Sequence, residues 1–534
     1  MSIFKLALII KNSSNEDEIL VVKQVRPPKF GVEEYDSHVD SDLWDLPSAF
    51  LNPLEVESLS DIEVVGAELG LEKVNLRKFD IRFSLNQVSE QLGLLRLGDG
   101  QWTFWKHVEE PEFGPGRPMQ TVFIVGRFTF NDGFKEGACQ WVTKKHCLGR
   151  LLEVKQGSER MGPLLVVGLL NDTAQSTKWD VPKNLNYQEY PPGFMILPMR
   201  SKTAKPFHTT NLVVVAPENA PNNCSSETFA ASGDAIIVDP GCNSVFHGEL
   251  AHITAALPRK LIVFVTHHHR DHVDGLSIIQ KCNPDAILLA HENTMRRIGR
   301  GDWSLSYISI SGGEEICVGG QKLSVLFAPG HTDGHLGLLH ISTHTLIVGD
   351  HCVGQGSAVL DATSGGNMAD YFETTQKFLE LSPHVLVPMH GRVNLWPKQM
   401  LCGYLKNRRN RESAILKAIE NGANTLFDLV AMVYSDVDRS SWWAASMNVK
   451  LHVEHLALQD KLPEGFSLET FKSSFGTFAD TMTRSLGISL RINDSVRLEG
   501  FSLQRFKCSC WSHFAIKFLW VYLRSGIASM VAKD

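Results

Sequence analysis

The chain has 534 residues, 43% of them hydrophobic, and a formal net charge of −7. That length suits about three domains with separate cores, and the composition excludes an intrinsically disordered chain. The acidic balance excludes nucleic-acid binding by the surface as a whole and leaves only local basic patches for it.

From the start, Leu6 to Ile10 and Ile19 to Val25 are expected as two strands joined by the polar turn Asn12 to Asp17. The first ten residues lack a basic lead and a long apolar run, so a strand is expected there rather than a signal peptide. Next, Leu43-Trp44-Asp45-Leu46-Pro47-Ser48-Ala49 resembles the entry to the Nudix hydrolase box. With Ala49 at the first glycine of that box, Glu55, Val65, Glu68, Gly70 and Leu71 fall in register. The same register puts Glu63 at the box arginine, Val64 at the first box glutamate and Ala67 at the next. A hard cation on phosphates needs several oxygen ligands, and Glu68 alone does not supply them. The resemblance implies a degenerate, non-catalytic Nudix-like domain of α+β class over residues 1–180.

Residues 181–207 are punctuated by Pro182, Pro191, Pro192, Pro198 and Pro206, and they are expected to be an interdomain linker. Residues 208–400 hold a series of short apolar runs, each ending in polar residues. Ala235 to Val238 leads to Asp239-Pro240-Gly241, and Leu261 to Val265 leads to Thr266-His267-His268-His269-Arg270-Asp271-His272. Leu323 to Phe327 precedes Pro329-Gly330-His331-Thr332, with His335 just beyond; Thr345 to Val348 precedes Gly349-Asp350; Val385 to Val387 precedes His390-Gly391. Imidazoles and carboxylates packed this densely are the nitrogen and oxygen donors that zinc and similar ions take. On extended backbone alternate residues point the same way, so His267 and His269 can grip one ion while Asp271 and His272 turn to a second.

The ordered set D-P-G, H-x-H-x-D-H, P-G-H-T, G-D and H-G resembles that of the metallo-β-lactamase-fold hydrolases. The resemblance implies an α/β fold, an αββα sandwich of two sheets, with two Zn2+ ions as cofactors. It implies His267, His269 and His331 on the first ion, Asp271, His272 and His390 on the second, and Asp350 bridging both. Asp239 is implied to be structural. In the implied mechanism a water shared by the ions attacks, Asp271 orients it, and His335 lies near the leaving group.

Lys398 to Glu420 is expected as one long helix with Leu401, Tyr404, Leu405, Ile415, Leu416 and Ile419 on one stripe. Arg408, Arg411 and Glu412 fall on that same stripe. The run from Tyr404 to Glu412 resembles a segment of the β-lactamase-like protein 2 group, with Asn407 where that group has His. Thr425 to Tyr434 and Trp442 to Leu458 continue as helices, and residues 401–475 resemble the winged-helix domain that closes the same group. The helices carry little basic charge, so packing is their expected role. Residues 476–534 remain unassigned.

Members of that group cleave single-stranded RNA, so the resemblance implies a metal-dependent endoribonuclease with Arg408 and Arg411 gripping phosphate. The alternatives are a glyoxalase-II-like hydrolase of small thioesters such as S-lactoylglutathione, and a non-enzymatic binding scaffold. Ten scattered cysteines read as reduced thiols of a cytoplasmic or other intracellular soluble protein. The run Phe514 to Leu523 is too short to span a bilayer, so no membrane partner is expected, and a homo-oligomer stays open.

Overall fold

The computed structural model describes residues 2–485 except 56–61, 63, 67–73, 94–96, 98–99, 129–136, 153, 155–156, 172–178, 180–181, 183–184 and 218–228. By internal contacts the chain divides into two units. The first comprises Met1–Ala328, Gly334–Ser357 and Thr375–Gly403; the second comprises Pro329–Asp333, Ala358–Thr374 and Tyr404 onward.

Within the first unit the N-terminal strands Ile3–Asn12 and Glu18–Lys23, two buried apolar runs joined by a short polar turn, pair antiparallel. Ile3–Asn12 also runs parallel to Met119–Phe128, which pairs antiparallel with Trp102–Glu109. The helix Ile81–Leu92 covers this sheet with Leu85, Val88 and Leu92. It starts where the Asp80 carboxylate accepts the Phe83 N–H at 2.9 Å and stops at the left-handed Gly93. Of the Nudix-like box, Ala49 lies in the strand Ser48–Phe50, and Val64–Val65 is a strand pairing parallel with Trp102–Thr103. Glu63, Ala67, Glu68, Gly70 and Leu71 lie outside the described residues.

The expected linker is in part a strand. Met195–Arg200 pairs antiparallel with Thr209–Val215 over its whole length, and Gln188–Glu189 extends the same sheet. Met195, Ile196 and Leu197 are buried, so the prolines punctuate the margin of a sheet rather than a solvated tether.

From Thr209–Val215 the sheet continues through Ala235–Val238, Leu261–Phe264, Ile287–Ala290 and Tyr307–Ser309; the last four are mutually parallel. A second sheet holds Ala231–Gly233, Glu315–Val318, Gln321–Phe327, Leu336–His340, Thr345–Gly349 and Val385–Pro388. Side-chain alternation explains the layering. Val213, Ile236, Ile262 and Leu289 join Leu323, Leu338 and Ile347 of the second sheet in one apolar cluster, together with Ile9 and Val21 of the N-terminal sheet. The intervening residues Leu212, Val214, Ile237 and Val263 face Leu250, Ile253, Leu276 and Ile279 of the outer helices. The N-terminal sheet and the sandwich therefore share a core.

The helix Pro397–Glu420 starts in the first unit, where the Asp40 carboxylate accepts the N–H groups of Lys398 and Gln399 at 3.0 and 3.1 Å. In the second unit Leu426–Val433, Trp442–Leu458 and Leu468–Ser485 pack around Leu429, Val449, Leu456 and Phe478. Thr425 and Asp428 form a reciprocal cap on the first of these. A helix, Leu468–Ser485, follows and extends beyond the expected domain limit at 475.

Candidate metal centre

The expected ligands of the first unit sit where strands of the two sheets end. Ligand atoms of His267, His269 and Asp350 lie within 4.8 Å of one another, and so do those of Asp271, His272 and His390. His267 and His272 are wholly buried and His390 nearly so. The turn after Leu261–Phe264 places His267 and His269 with His267 Nε2 and His269 Nδ1 only 2.9 Å apart. A short helical turn, Arg270–Val273, begins right after His269, and Leu276–Cys282 follows beyond Gly275. Gly275 packs on the Pro240 carbonyl, where a Cβ would come within 2.1 Å of the oxygen.

Each buried imidazole has its outer nitrogen tied up. Asp239 accepts from Thr266 N at 2.7 Å, from Thr266 Oγ1 at 2.6 Å and from His272 Nδ1 at 2.9 Å. The Thr266 hydroxyl, having donated to Asp239, accepts from His267 Nδ1 at 3.0 Å. His390 Nδ1 donates to the Thr209 carbonyl at 2.8 Å. The inner Nε2 atoms of His267, His272 and His390 consequently turn toward carboxylates, and each offers a lone pair to an ion once its second proton is gone. His272 Nε2 lies 3.5 Å from Asp350 and 3.9 Å from Asp271, and His390 Nε2 lies 3.4 Å from each. Nitrogens fixed from behind in this way are how metal-binding histidines are oriented. His272 Nε2 is buried and makes no hydrogen bond, a cost that an ion at that point removes. The donor set therefore fits divalent metal, and Asp239 orients His272 directly and His267 through Thr266.

Charges at the centre are strongly coupled. Burial alone would raise Asp350 and Asp271, yet His390 and His272 hold both carboxyls well below the usual range. Burial alone would lower His390, yet Asp350 and Asp271 push it up to about 10. The carboxylates thus demand positive charge in this dry space, which protons or a metal can provide.

His331 lies in the second unit, on the turn Pro329–Asp333, 4% exposed; its Nδ1 donates to the Val359 carbonyl at 2.8 Å. His335 departs from its expected role. It is wholly buried; its Nδ1 donates to the Ala328 carbonyl at 3.0 Å and its Nε2 accepts the Asp350 N–H at 3.1 Å. Burial pushes its pKa down to about 3. A neutral ring with both nitrogens engaged is a backbone anchor, not a proton donor to a leaving group.

Arg408 and Arg411 also have protein partners. Arg408, 4% exposed, donates to the Ala358 carbonyl at 2.5 Å and to Asn448 Oδ1 at 3.2 Å, with its guanidinium 4.8 Å above the Tyr371 ring. Arg411 donates to the Val433 carbonyl at 2.7 Å and lies 3.9 Å from the centre of the Tyr434 ring. Glu412, on the same helical stripe, accepts from His455 at 2.6 Å and from His452 at 3.4 Å.

Sequence reasoning missed Thr266, Thr209 and Asn211 as supports of the centre. Asn211 Nδ2 donates to the carbonyls of Pro388 and Gly391 at 2.8 Å each, pinning the turn that carries His390. Its signal was a polar residue inside an otherwise apolar strand.

Comparison with known proteins gives a consistent result. Residues 228–390 match the model of the metallo-β-lactamase superfamily, and residues 425–463 match the β-lactamase-associated winged helix domain. The chain is 27% identical over 243 residues to the β-lactamase-like protein 2 homolog of Drosophila melanogaster, covering 42% of this chain and 80% of that protein. The Caenorhabditis elegans homolog is 30% identical over 211 residues, 39% of this chain and 69% of that one. A hydroxyacylglutathione hydrolase of Thermosynechococcus vestitus is 30% identical over 139 residues, 26% of this chain and 52% of that protein.

Proposed function

The chain belongs to the metallo-β-lactamase superfamily, whose members are generally metal-dependent hydrolases, and we propose that this member is a two-zinc endoribonuclease acting on single-stranded RNA. The observation that carries a hydrolytic reading is the set of buried imidazoles whose outer nitrogens are tied down, so that their inner nitrogens converge on Asp271 and Asp350. In the proposal His267, His269, His331 and Asp350 hold one ion, and Asp350, Asp271, His272 and His390 hold the other. Bound there, divalent ions supply an acidified water and take up negative charge on the attacked group. Asp271, kept ionised by His272 and His390, orients the attacking water. Asp350 is the shared carboxylate, with its backbone fixed by His335. Asp239 and Thr266 hold the histidine tautomers. Among the described residues no helix is long and apolar enough to cross a membrane.

The RNA assignment draws on the likeness to the β-lactamase-like protein 2 homologs, which extends over most of their length. In this reading the N-terminal, Nudix-like domain contributes no catalysis, and Arg408 and Arg411 act through the fold of the C-terminal unit. The second reading, thioester hydrolysis, is favoured by the shorter likeness to a hydroxyacylglutathione hydrolase. Incubation with a labelled unstructured RNA and, separately, with S-lactoylglutathione, each with added zinc, decides between them. RNA cleavage with a slow or absent thioester reaction is expected. Rapid thioester turnover with intact RNA would overturn the assignment, and failure of both reactions would favour a binding scaffold.

A further inference from the structure

The loop joining Trp102–Glu109 to Met119–Phe128 belongs to the N-terminal sheet, yet its residues reach the turn that carries His390. Two struts make the connection. In the first, Glu110 accepts a forked pair of bonds from Arg392, Nε to Oε1 at 2.6 Å and Nη2 to Oε2 at 2.9 Å. Arg392 Nη2 also donates to the Arg117 carbonyl at 2.7 Å. Glu110 is itself held by its hairpin, since Oε2 accepts the Met119 N–H and its own N–H donates to the Met119 carbonyl, both at 2.8 Å. In the second strut the carbonyl of the buried Phe113 accepts from Thr209 Oγ1 at 3.1 Å, and the Thr209 carbonyl accepts from His390 Nδ1. The approach is tight: at Gly116, whose φ is +110°, a Cβ would sit 3.3 Å from Arg392 Nη1.

We propose that residues 110–117 are a positioning element for His390, so that the N-terminal domain sets the affinity of the second metal position. This rests on the two-ion reading above. Glu110, Thr209 and Arg392 are positioning residues in this scheme: each acts on the metal only through the His390 turn. A forked guanidinium–carboxylate pair fixes direction as well as distance, and partners behind a metal-binding histidine change metal affinity by about 10- to 100-fold. A domain with no chemistry of its own would thus be retained as part of the ligand scaffold.

The test is titration of chelator-stripped full-length protein with Co2+, following stoichiometry and the visible absorption of the bound ion. A His390→Ala variant identifies the step that belongs to the second position. Glu110→Ala and Thr209→Val should weaken that step about tenfold or more and leave the other step unchanged. The exchanged pair Glu110→Arg with Arg392→Glu should recover most of the loss, which a merely destabilised fold would not do. Two unchanged steps in both single variants would overturn the proposal, as would equal weakening of both steps. Fewer than two steps in the wild-type protein would instead remove the two-ion reading, and this inference with it.

Discussion

The Nε2 atom of His335 accepts the backbone N–H of Asp350 at 3.1 Å, while its Nδ1 donates to the Ala328 carbonyl. A ring expected to meet the substrate instead fixes the strand end that presents Asp350. His335→Ala should therefore reduce metal content and activity together. Comparing a p-nitrophenyl phosphodiester with RNA checks the role. A general acid matters less when the leaving group needs no proton, so equal losses on both substrates are expected. Recovery on the p-nitrophenyl substrate alone would restore the proton-donor role.

On the proposed two-ion reading, Asp350→Asn should abolish turnover, because that reading puts Asp350 on both metal positions. Elemental analysis should give well under two equivalents per chain. Wild-type turnover with full metal content would contradict the shared-ligand assignment.

Gly349 has a φ of +56°, and a Cβ there would lie 2.3 Å from His335 Nε2. Gly349→Ala should thus cost about 1–3 kcal/mol in backbone strain and displaced packing and break the hydrogen bond to Asp350. Thermal unfolding and metal retention measured together check it; an unchanged melting point with full metal would contradict it.

The C-terminal unit should be acid-labile. Burial lowers His452 to about 4 from its ordinary 6.5, with Glu412 opposing only in part. For Glu412 burial works upward, but bonds from His452 and His455 bring it down to about 2 from 4.5. Both groups bind protons less readily folded than unfolded, so stability is greatest above about pH 6.5 and falls as pH drops. His452 accounts for the window from 6.5 to 4, at most roughly 3 kcal/mol, and Glu412 for the window below 4.5. Amide exchange of Trp442–Leu458, corrected for intrinsic rates, should accelerate between pH 7 and pH 5, and His452→Gln should flatten that response. Equal protection at both pH values would contradict it.

Arg408→Ala should destabilise the C-terminal unit by about 2 kcal/mol or more, since it leaves the Ala358 carbonyl and Asn448 without their buried donor. Its effect on RNA cleavage should follow that unfolding. If RNA affinity instead falls with the fold intact, and its salt dependence weakens, Arg408 contacts phosphate directly.

Much of the candidate centre was legible because its polar residues are local punctuation. Asp239, His267, Asp350 and His390 each follow an apolar run that can only be a buried strand, and a strand end is where a loop can gather donors from different parts of the chain. What could not be read were roles fixed by partners distant in sequence. His335 resembles a catalytic imidazole until the Asp350 N–H, 15 residues on, is seen to occupy it. Arg408 was recognised as misplaced on an apolar stripe, but the buried carbonyl and ring that explain it lie at Ala358 and Tyr371. The segment Met195–Arg200 looked like a tether because proline content outweighed the short apolar run that pairs with Thr209–Val215.

The most direct measurement of the central claim is a zinc titration of chelator-stripped protein, with cleavage of a labelled single-stranded RNA followed at each addition. Activity should be absent without metal, rise with added zinc and level off at two equivalents per chain. Full cleavage in excess chelator, or zinc binding at two equivalents with the RNA left intact, would contradict it.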